Sequence, residues 1–212
     1  MTFSVDALTA RLLTGAGDPP PADGQRRAAV AALLHHGEHG LAVLLMKRAE
    51  RTGDPWSGQV SLPGGRHEPD DPDLHTTAVR EAEEELALGL TTGARYLGRL
   101  AALHPRSGGP AGMEVTPFVF VTDAPPTPRL GAEAAAAFWL PIPLVLAGSL
   151  DGTYDWPNEA SGARLRSDAI ARQPVGPGPP APMRFPCWQW QGFTIWGLTM
   201  RIVGELLAAG RP

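Results

Sequence analysis

Four carboxylates and one arginine fall within six residues, Arg80-Glu81-Ala82-Glu83-Glu84-Glu85. On an α-helix, at about 100° per residue, Glu81, Glu84 and Glu85 stand at i, i+3 and i+4, so their side chains converge on one face. Ala78, Val79, Ala82 and Leu86 form the adjoining arc, which should face a core, and Glu83 is left on the solvent side. Three negative charges at such a border repel one another, and partly desolvated carboxylates cost free energy. A divalent cation removes the conflict. Mg²⁺ or Mn²⁺ favours oxygen ligands, and Mg²⁺ keeps positions for water and phosphate. Arg80, four residues before Glu84, is placed to pair with it and fix its rotamer. The plainer alternative is a solvated acidic helix. Against it stands the Gly64-Gly65 turn just upstream, which allows close backbone approach and could offer the Gly65 carbonyl to a metal.

The elements that must position these groups can be read around them. Asp71-Pro72-Asp73 is a helix start, with Asp71 read as the cap and Pro72 as the first helical residue. The helix should run to about Leu88, with Gly89 ending it. Upstream, Phe3 to Leu13 reads as a short amphipathic helix capped by Ser4, and Gly15 to Gly24 as a Pro- and Gly-rich linker. Arg27 to His35 and Leu41 to Arg48 are β-rich runs joined as a hairpin, and Gln59 to Leu62 is a short strand. Downstream, Tyr96 to Leu103, Val115 to Thr122 and Ala137 to Leu140 read as strands. His104 to Met113 between them is a candidate lid. Phe185 to Phe193 suggests another hairpin, and Ile195 to Ala209 a closing helix with Ile195, Thr199, Ile202 and Leu206 on one face. Strands mixed with few helices, without regular βαβ alternation, predict an α/β (α+β) fold with a mixed sheet covered on both faces. Residues 1–25 form the leading helix and linker, and residues 26–212 a single domain.

Composition narrows the function classes. Of 212 residues, 43% are hydrophobic and 19% charged, enough to build a core. The net charge of −4 speaks against a nucleic-acid-coating surface, so phosphate binding needs local arginine or metal charge. The lone Cys187 excludes an internal disulfide and a Cys-based zinc cluster, and its apolar flanks suggest a buried thiol. The leading residues lack the pattern of a signal peptide, and the longest apolar run, Ala134 to Gly148, is broken by Pro141 and Pro143. A cytoplasmic protein without a membrane partner is the expectation.

The stretch from Gly65 to Leu88 resembles the Nudix box, Gly-x5-Glu-x7-Arg-Glu-U-x-Glu-Glu-x-Gly-U, where U is a bulky aliphatic residue. Gly65, Arg80, Glu81, Glu84, Glu85 and Leu88 match it. Asp71 stands where its first Glu is expected, eight residues rather than seven before Arg80. Ala82 is small for U, and Ala87 replaces the glycine. Gly58-Gln-Val-Ser-Leu-Pro-Gly-Gly65 resembles the coenzyme A pyrophosphatase branch of that family. So do Leu44-Leu45-Met46-Lys47-Arg48, Thr77 to Glu81 and Ile195-Trp-Gly-Leu-Thr-Met-Arg201. Met46, Ala49, Asp54 and Leu62 depart from the branch's expected Thr, Ser, Arg and Phe.

The resemblance implies an α/β/α sandwich and metal-dependent hydrolysis of a nucleoside diphosphate linked to another group, with Mg²⁺ or Mn²⁺ as cofactor. Glu84 and Glu85 are then primary ligands, with the Gly65 carbonyl, and Glu81 is a ligand or the base that polarises water. Glu133 is a second candidate base, because some members supply a glutamate from a loop in that region. Arg48 and Arg66 are candidate diphosphate contacts, since guanidinium groups suit phosphate. The partner is a small nucleotide-diphosphate molecule: coenzyme A or its acyl derivatives, or alternatively ADP-ribose or a dinucleotide. A third reading is a module that binds nucleotides without cutting them. Leu150 to Pro182 could close the pocket or make a homodimer contact.

Overall fold

Ala29, Ala31 and Leu33 are buried against one apolar cluster, while Ala28, Ala32 and Leu34, on the same strand, are buried against another. Alternate residues of a strand point to opposite faces. A strand apolar on both faces must therefore lie inside a sheet covered on both sides. The computed structural model describes residues 2–14, 26–52, 56–105, 112–156 and 183–212. The linker expected over Gly15 to Gly24, most of the loop expected between His104 and Met113, and most of Leu150 to Pro182 lie outside those residues.

In chain order the elements are α1 (Val5–Arg11), β1 (Arg26–Gly37), β2 (Gly40–Arg48), β3 (Val60–Ser61), β4 (Gly64–Arg66), α2 (Leu74–Leu86) and α3 (Leu90–Gly93). They continue with β5 (Arg95–Arg99), β6 (Met113–Thr122), β7 (Ala134–Pro141), α4 (Ile142–Leu146), β8 (Asp151–Trp156), β9 (Met183–Trp190), β10 (Phe193–Trp196) and α5 (Gly197–Ala209). The main sheet runs β3-β2-β1-β6-β5, with β4 also pairing β1 and β7 also pairing β2. β1 and β6 are parallel and the other pairs antiparallel, so the sheet is mixed as expected.

α2 lays Leu74, Ala78, Ala82 and Leu86 against Ala29, Leu33, Leu44, Phe118 and Phe120 on one face. α1 and α5 cover the other with Leu8, Leu12, Ile202, Val203 and Leu206, packed with Leu34, Val43, Leu45 and Val119. This is the α/β/α layering. A second antiparallel sheet, β10-β9-β8, joins the α5-side core through Trp188 and Ile195.

Several element boundaries differ from the sequence reading. Ile195 does not open the last helix; it pairs with Trp188 inside the β9–β10 hairpin, and the helix begins at Gly197. α2 stops at Leu86, because Ala87 takes a left-handed conformation with φ 53° and ψ 48°. Gly64-Gly65 is not a free turn but part of β4, with Val30 opposite Gly64 and Ala29 opposite Gly65. Gly64, at φ +150°, is required there: a Cβ would collide with the Ala29 carbonyl and the Val30 backbone.

Candidate active site

α2 is capped by Asp73, whose side chain accepts the Thr76 N–H at 2.7 Å. Asp71 is not the cap. Its buried carboxylate accepts Arg80 Nε at 3.0 Å on Oδ1, and Arg80 Nη2 at 2.9 Å and Thr77 Oγ1 at 2.8 Å on Oδ2. The Glu68 N–H donates to it as well, at 3.1 Å. Two parallel guanidinium bonds are the strong form of this pair. The Arg80 hydrogen bonds hold the Asp71 carboxyl well below the usual carboxylate range, against the opposing effect of burial. Behind it, His67 Nδ1 lies 3.0 Å from Thr77 Oγ1. With the Thr77 hydroxyl donated to Asp71, His67 Nδ1 is the donor of that contact.

Arg80 is the hub of the face. Its Nη1 reaches Glu81 Oε1 at 3.1 Å and Glu84 Oε2 at 3.2 Å, and its Nη2 reaches the Arg66 carbonyl at 3.3 Å. The expected pairing with Glu84 is therefore present, and Arg80 also joins the loop before the helix to the helix itself. The three carboxylates differ in burial. Glu84 is an exposed side chain at 59%, Glu81 a largely covered one at 16%, and Glu85 is 3% exposed. Glu83 lies on the exposed side, as expected, with its carboxylate accepting the Gly89 N–H at 2.8 Å.

Glu85 Oε2 accepts the Gly64 N–H at 2.8 Å. Burial still pushes its carboxyl up to about 7; the Gly64 bond and the Arg48 charge oppose this, and the Glu81 and Glu133 charges add to it. Burial raises Glu81 too, with Arg80 pulling the other way. Gly65 faces this group: a Cβ there would fall on the Glu81 carboxylate. One glycine of the pair lets β4 lie against β1, and the other leaves room for Glu81.

Glu133 is delivered by a loop docked on the carboxyl end of α2. Arg129 N donates to the Leu86 carbonyl at 2.9 Å and Gly131 N to the Glu85 carbonyl at 2.8 Å. A Cβ on Gly131 would strike the Glu84 carbonyl, so only glycine permits this approach. The Glu133 carbonyl accepts Ala49 N at 2.8 Å, and its carboxylate pairs with Arg51 at 3.1 Å. Arg48 is half-buried close enough for its charge to favour ionised Glu85, whereas the Arg66 side chain is exposed.

Among the described residues, no three His, Cys, Asp or Glu side chains are gathered into a ready metal cage. The helix presents its glutamates on one face, but Arg80 draws Glu81 and Glu84 to itself while Glu85 turns to Gly64. The donor set nevertheless fits a hard divalent cation. It offers oxygen donors only, the carboxylates of Glu81, Glu84 and Glu85, with Gly65 lacking the Cβ that would fill the space beside Glu81. The partners of Asp71, and Arg51, are features that helical periodicity does not reveal. Asp71 precedes the helix, and Arg51 and Glu133 are 82 residues apart. The one signal for Asp71 was its place in the box pattern.

Residues 25–156 match the family model described as the NUDIX domain. A protein of Yersinia pestis (strain Pestoides F) called uncharacterized Nudix hydrolase NudL is 34% identical over 185 residues, covering 87% of this chain and 79% of its own. A protein of the same description from Yersinia pseudotuberculosis serotype O:1b (strain IP 31758) gives the same values. Among solved structures, a C. elegans Ap4A hydrolase in a binary complex superposes with a TM-score of 0.47 at 15% identity, covering 69% of this chain and 96% of that one.

Proposed function

This chain belongs to the Nudix hydrolase family, and from that premise we propose that it cleaves the diphosphate of coenzyme A or an acyl derivative, using Mg²⁺ or Mn²⁺. The observation that carries the hydrolase reading is the Arg80-centred face, with buried Glu85 and largely covered Glu81 beside exposed Glu84. The branch reading is supported by the segments Gly58 to Gly65 and Ile195 to Arg201.

With Glu81 left to serve as the base, Glu84, Glu85 and the Gly65 carbonyl would hold the cation. When bound it supplies positive charge that offsets the diphosphate and the negative charge developing in phosphoryl transfer. The chain's own groups divide the remaining work. Glu81 accepts the proton of the attacking water in this reading, because its carboxylate lies against Gly65 and is held there by Arg80. Arg80, fixed by Asp71, orients Glu81 and Glu84. Glu133, the other candidate base, pairs with Arg51 at 3.1 Å. Arg48, beside Glu85, and Arg66, exposed on β4, are diphosphate contacts in this reading.

Product analysis with coenzyme A, acyl-coenzyme A, ADP-ribose, NADH and dinucleoside polyphosphates tests the proposal. Release of a nucleotide from coenzyme A with either metal is expected. Glu84→Gln and Glu85→Gln should each lower kcat/KM by about 100-fold or more. Turnover of ADP-ribose but not coenzyme A would remove the branch assignment and leave the hydrolase. Full activity in both glutamine variants would overturn the carboxylate face as the catalytic centre.

A further inference from the structure

Arg51 has no part in the reading above, yet it stands at the edge of the acidic face. Its Nη1 donates to Glu133 Oε1 at 3.1 Å and its Nη2 to the Ala132 carbonyl at 3.4 Å. Its backbone N–H is held by Ser57 Oγ at 2.7 Å. The Arg51 and Glu133 side chains are 47% and 48% exposed, so this pair meets solvent. Within the described residues it uses two of the five N–H groups an arginine carries. Arg80 is the contrast. It is engaged by Asp71, Glu81, Glu84 and the Arg66 carbonyl, and could turn to a ligand only by releasing the carboxylates it orients.

The position of Arg51 is built by the backbone. The Gly131 N–H is bonded to Glu85 and the Glu133 carbonyl to Ala49, so Glu133 is fixed between the end of α2 and the end of β2. Gly131, two residues before Glu133, lies against the Glu84 and Glu85 carbonyls, which puts the Arg51–Glu133 pair beside the turn of α2 that carries those glutamates. An exposed ion pair is weak and exchanges readily. A diphosphate is a denser anion than a single carboxylate, and the planar guanidinium fork matches its oxygens two at a time.

We propose that Arg51 is a diphosphate-binding residue, held at the edge of the carboxylate face by Glu133 until substrate takes its place. The inference rests on the hydrolase reading and deepens it by naming a substrate contact. Glu133 is then a positioning residue that acts through Arg51.

Two measurements test it: steady-state kinetics on the best substrate of the panel, and calorimetric binding of inorganic pyrophosphate to the Mg²⁺-loaded full chain. Arg51→Ala should weaken pyrophosphate binding and raise KM by about tenfold, with kcat within about twofold. Arg51→Lys should recover part of the loss, because it keeps the charge without the fork. Glu133→Gln should alter KM in the native background and have no further effect in Arg51→Ala. Unchanged KM and unchanged pyrophosphate affinity in Arg51→Ala overturn the inference while leaving the hydrolase intact. Additive effects of Glu133→Gln and Arg51→Ala overturn the positioning role. A native chain that hydrolyses none of the panel defeats the hydrolase reading instead, and pyrophosphate binding then tests Arg51 by itself.

Discussion

Glu85 is the residue on which stability and chemistry pull apart. It is a nearly buried carboxylate with one backbone N–H for company, and its pKa lies near 7 instead of the ordinary 4.5. The folded state therefore holds this proton more tightly than the unfolded chain does. The associated stability is fully present below about pH 4.5 and is lost as pH rises through about 7. Metal-free protein should be less stable at pH 8 than at pH 5, by about 1–3 kcal/mol from this group. Glu85→Gln should flatten that slope and stabilise the metal-free chain at pH 8 while abolishing turnover. Urea titrations in EDTA at the two pH values measure this, and parallel pH curves for native chain and variant would refute it. Added Mg²⁺ should recover the native chain's stability at pH 8 more than the variant's, because a bound ligand favours the folded state. Asp71 titrates with the opposite sign. Its lowered pKa makes the Asp71–Arg80 contribution complete above the ordinary aspartate range and lost in stronger acid, clear of the Glu85 window.

At the scale of the element, α2 ends in a conformation its sequence does not suit. Ala87 sits at φ 53°, where a Cβ crowds the following carbonyl, and its N–H bonds the Ala82 and Glu83 carbonyls. The box pattern carries glycine at this position. Ala87→Gly should stabilise the protein by about 1 kcal/mol, read as a raised denaturation midpoint with unchanged activity. A lowered midpoint would mean that the alanine methyl packs well enough to outweigh the strain. The other end of α2 explains why its start was misplaced. Asp71-Pro72-Asp73 contains two capping residues, and Pro72 at a first helical position pointed to Asp71. Arg80, two and a half turns on, claims Asp71 and leaves Asp73 to cap. β4 was hidden for a related reason. Its two glycines bring no side-chain pattern, and only the backbone of β1 makes them a strand.

Across the whole molecule, the sheet divides two cores, and the carboxylate face proposed as catalytic belongs to one of them. The α2-side core fixes the helix that carries Glu81 and Glu85. The other core joins the chain's two ends: Leu8 of α1 is fully buried, and Ser4 N donates to the Gly210 carbonyl at 2.9 Å. Arg11 donates to the carbonyls of Ala209 and Arg211, at the end of α5. Leu8→Ala should cost about 2–5 kcal/mol, because a buried leucine leaves both its transfer energy and a cavity behind. Activity at 25 °C should persist as long as the chain stays folded, since the sheet separates Leu8 from the site. A urea midpoint shift with unaltered KM would bear this out, and a changed KM at full folding would refute the separation. Among the described residues no helix is long and apolar enough to cross a membrane.

What the sequence determined by itself were the features that depend on short-range periodicity. The i, i+3, i+4 spacing of Glu81, Glu84 and Glu85 is set by helix geometry, and so is the split between those residues and Glu83. Strands mixed with few helices, without regular βαβ alternation, predicted a mixed sheet covered on both faces, and the main sheet is one. Cys187 was legible as a buried thiol from its neighbours, and it is buried. Tertiary structure decided the matters in which distant segments compete for one group. It gave Asp71 to Arg80, the Gly64 N–H to Glu85 and Arg51 to Glu133. A hydrogen bond or ion pair forms wherever the fold brings its partners within about 3 Å. No local pattern encodes which of several arginines or aspartates will arrive there. Helix geometry could therefore select the carboxylates, while their burial, and with it the proton affinity that marks Glu85, waited on the strand and loop packed against them.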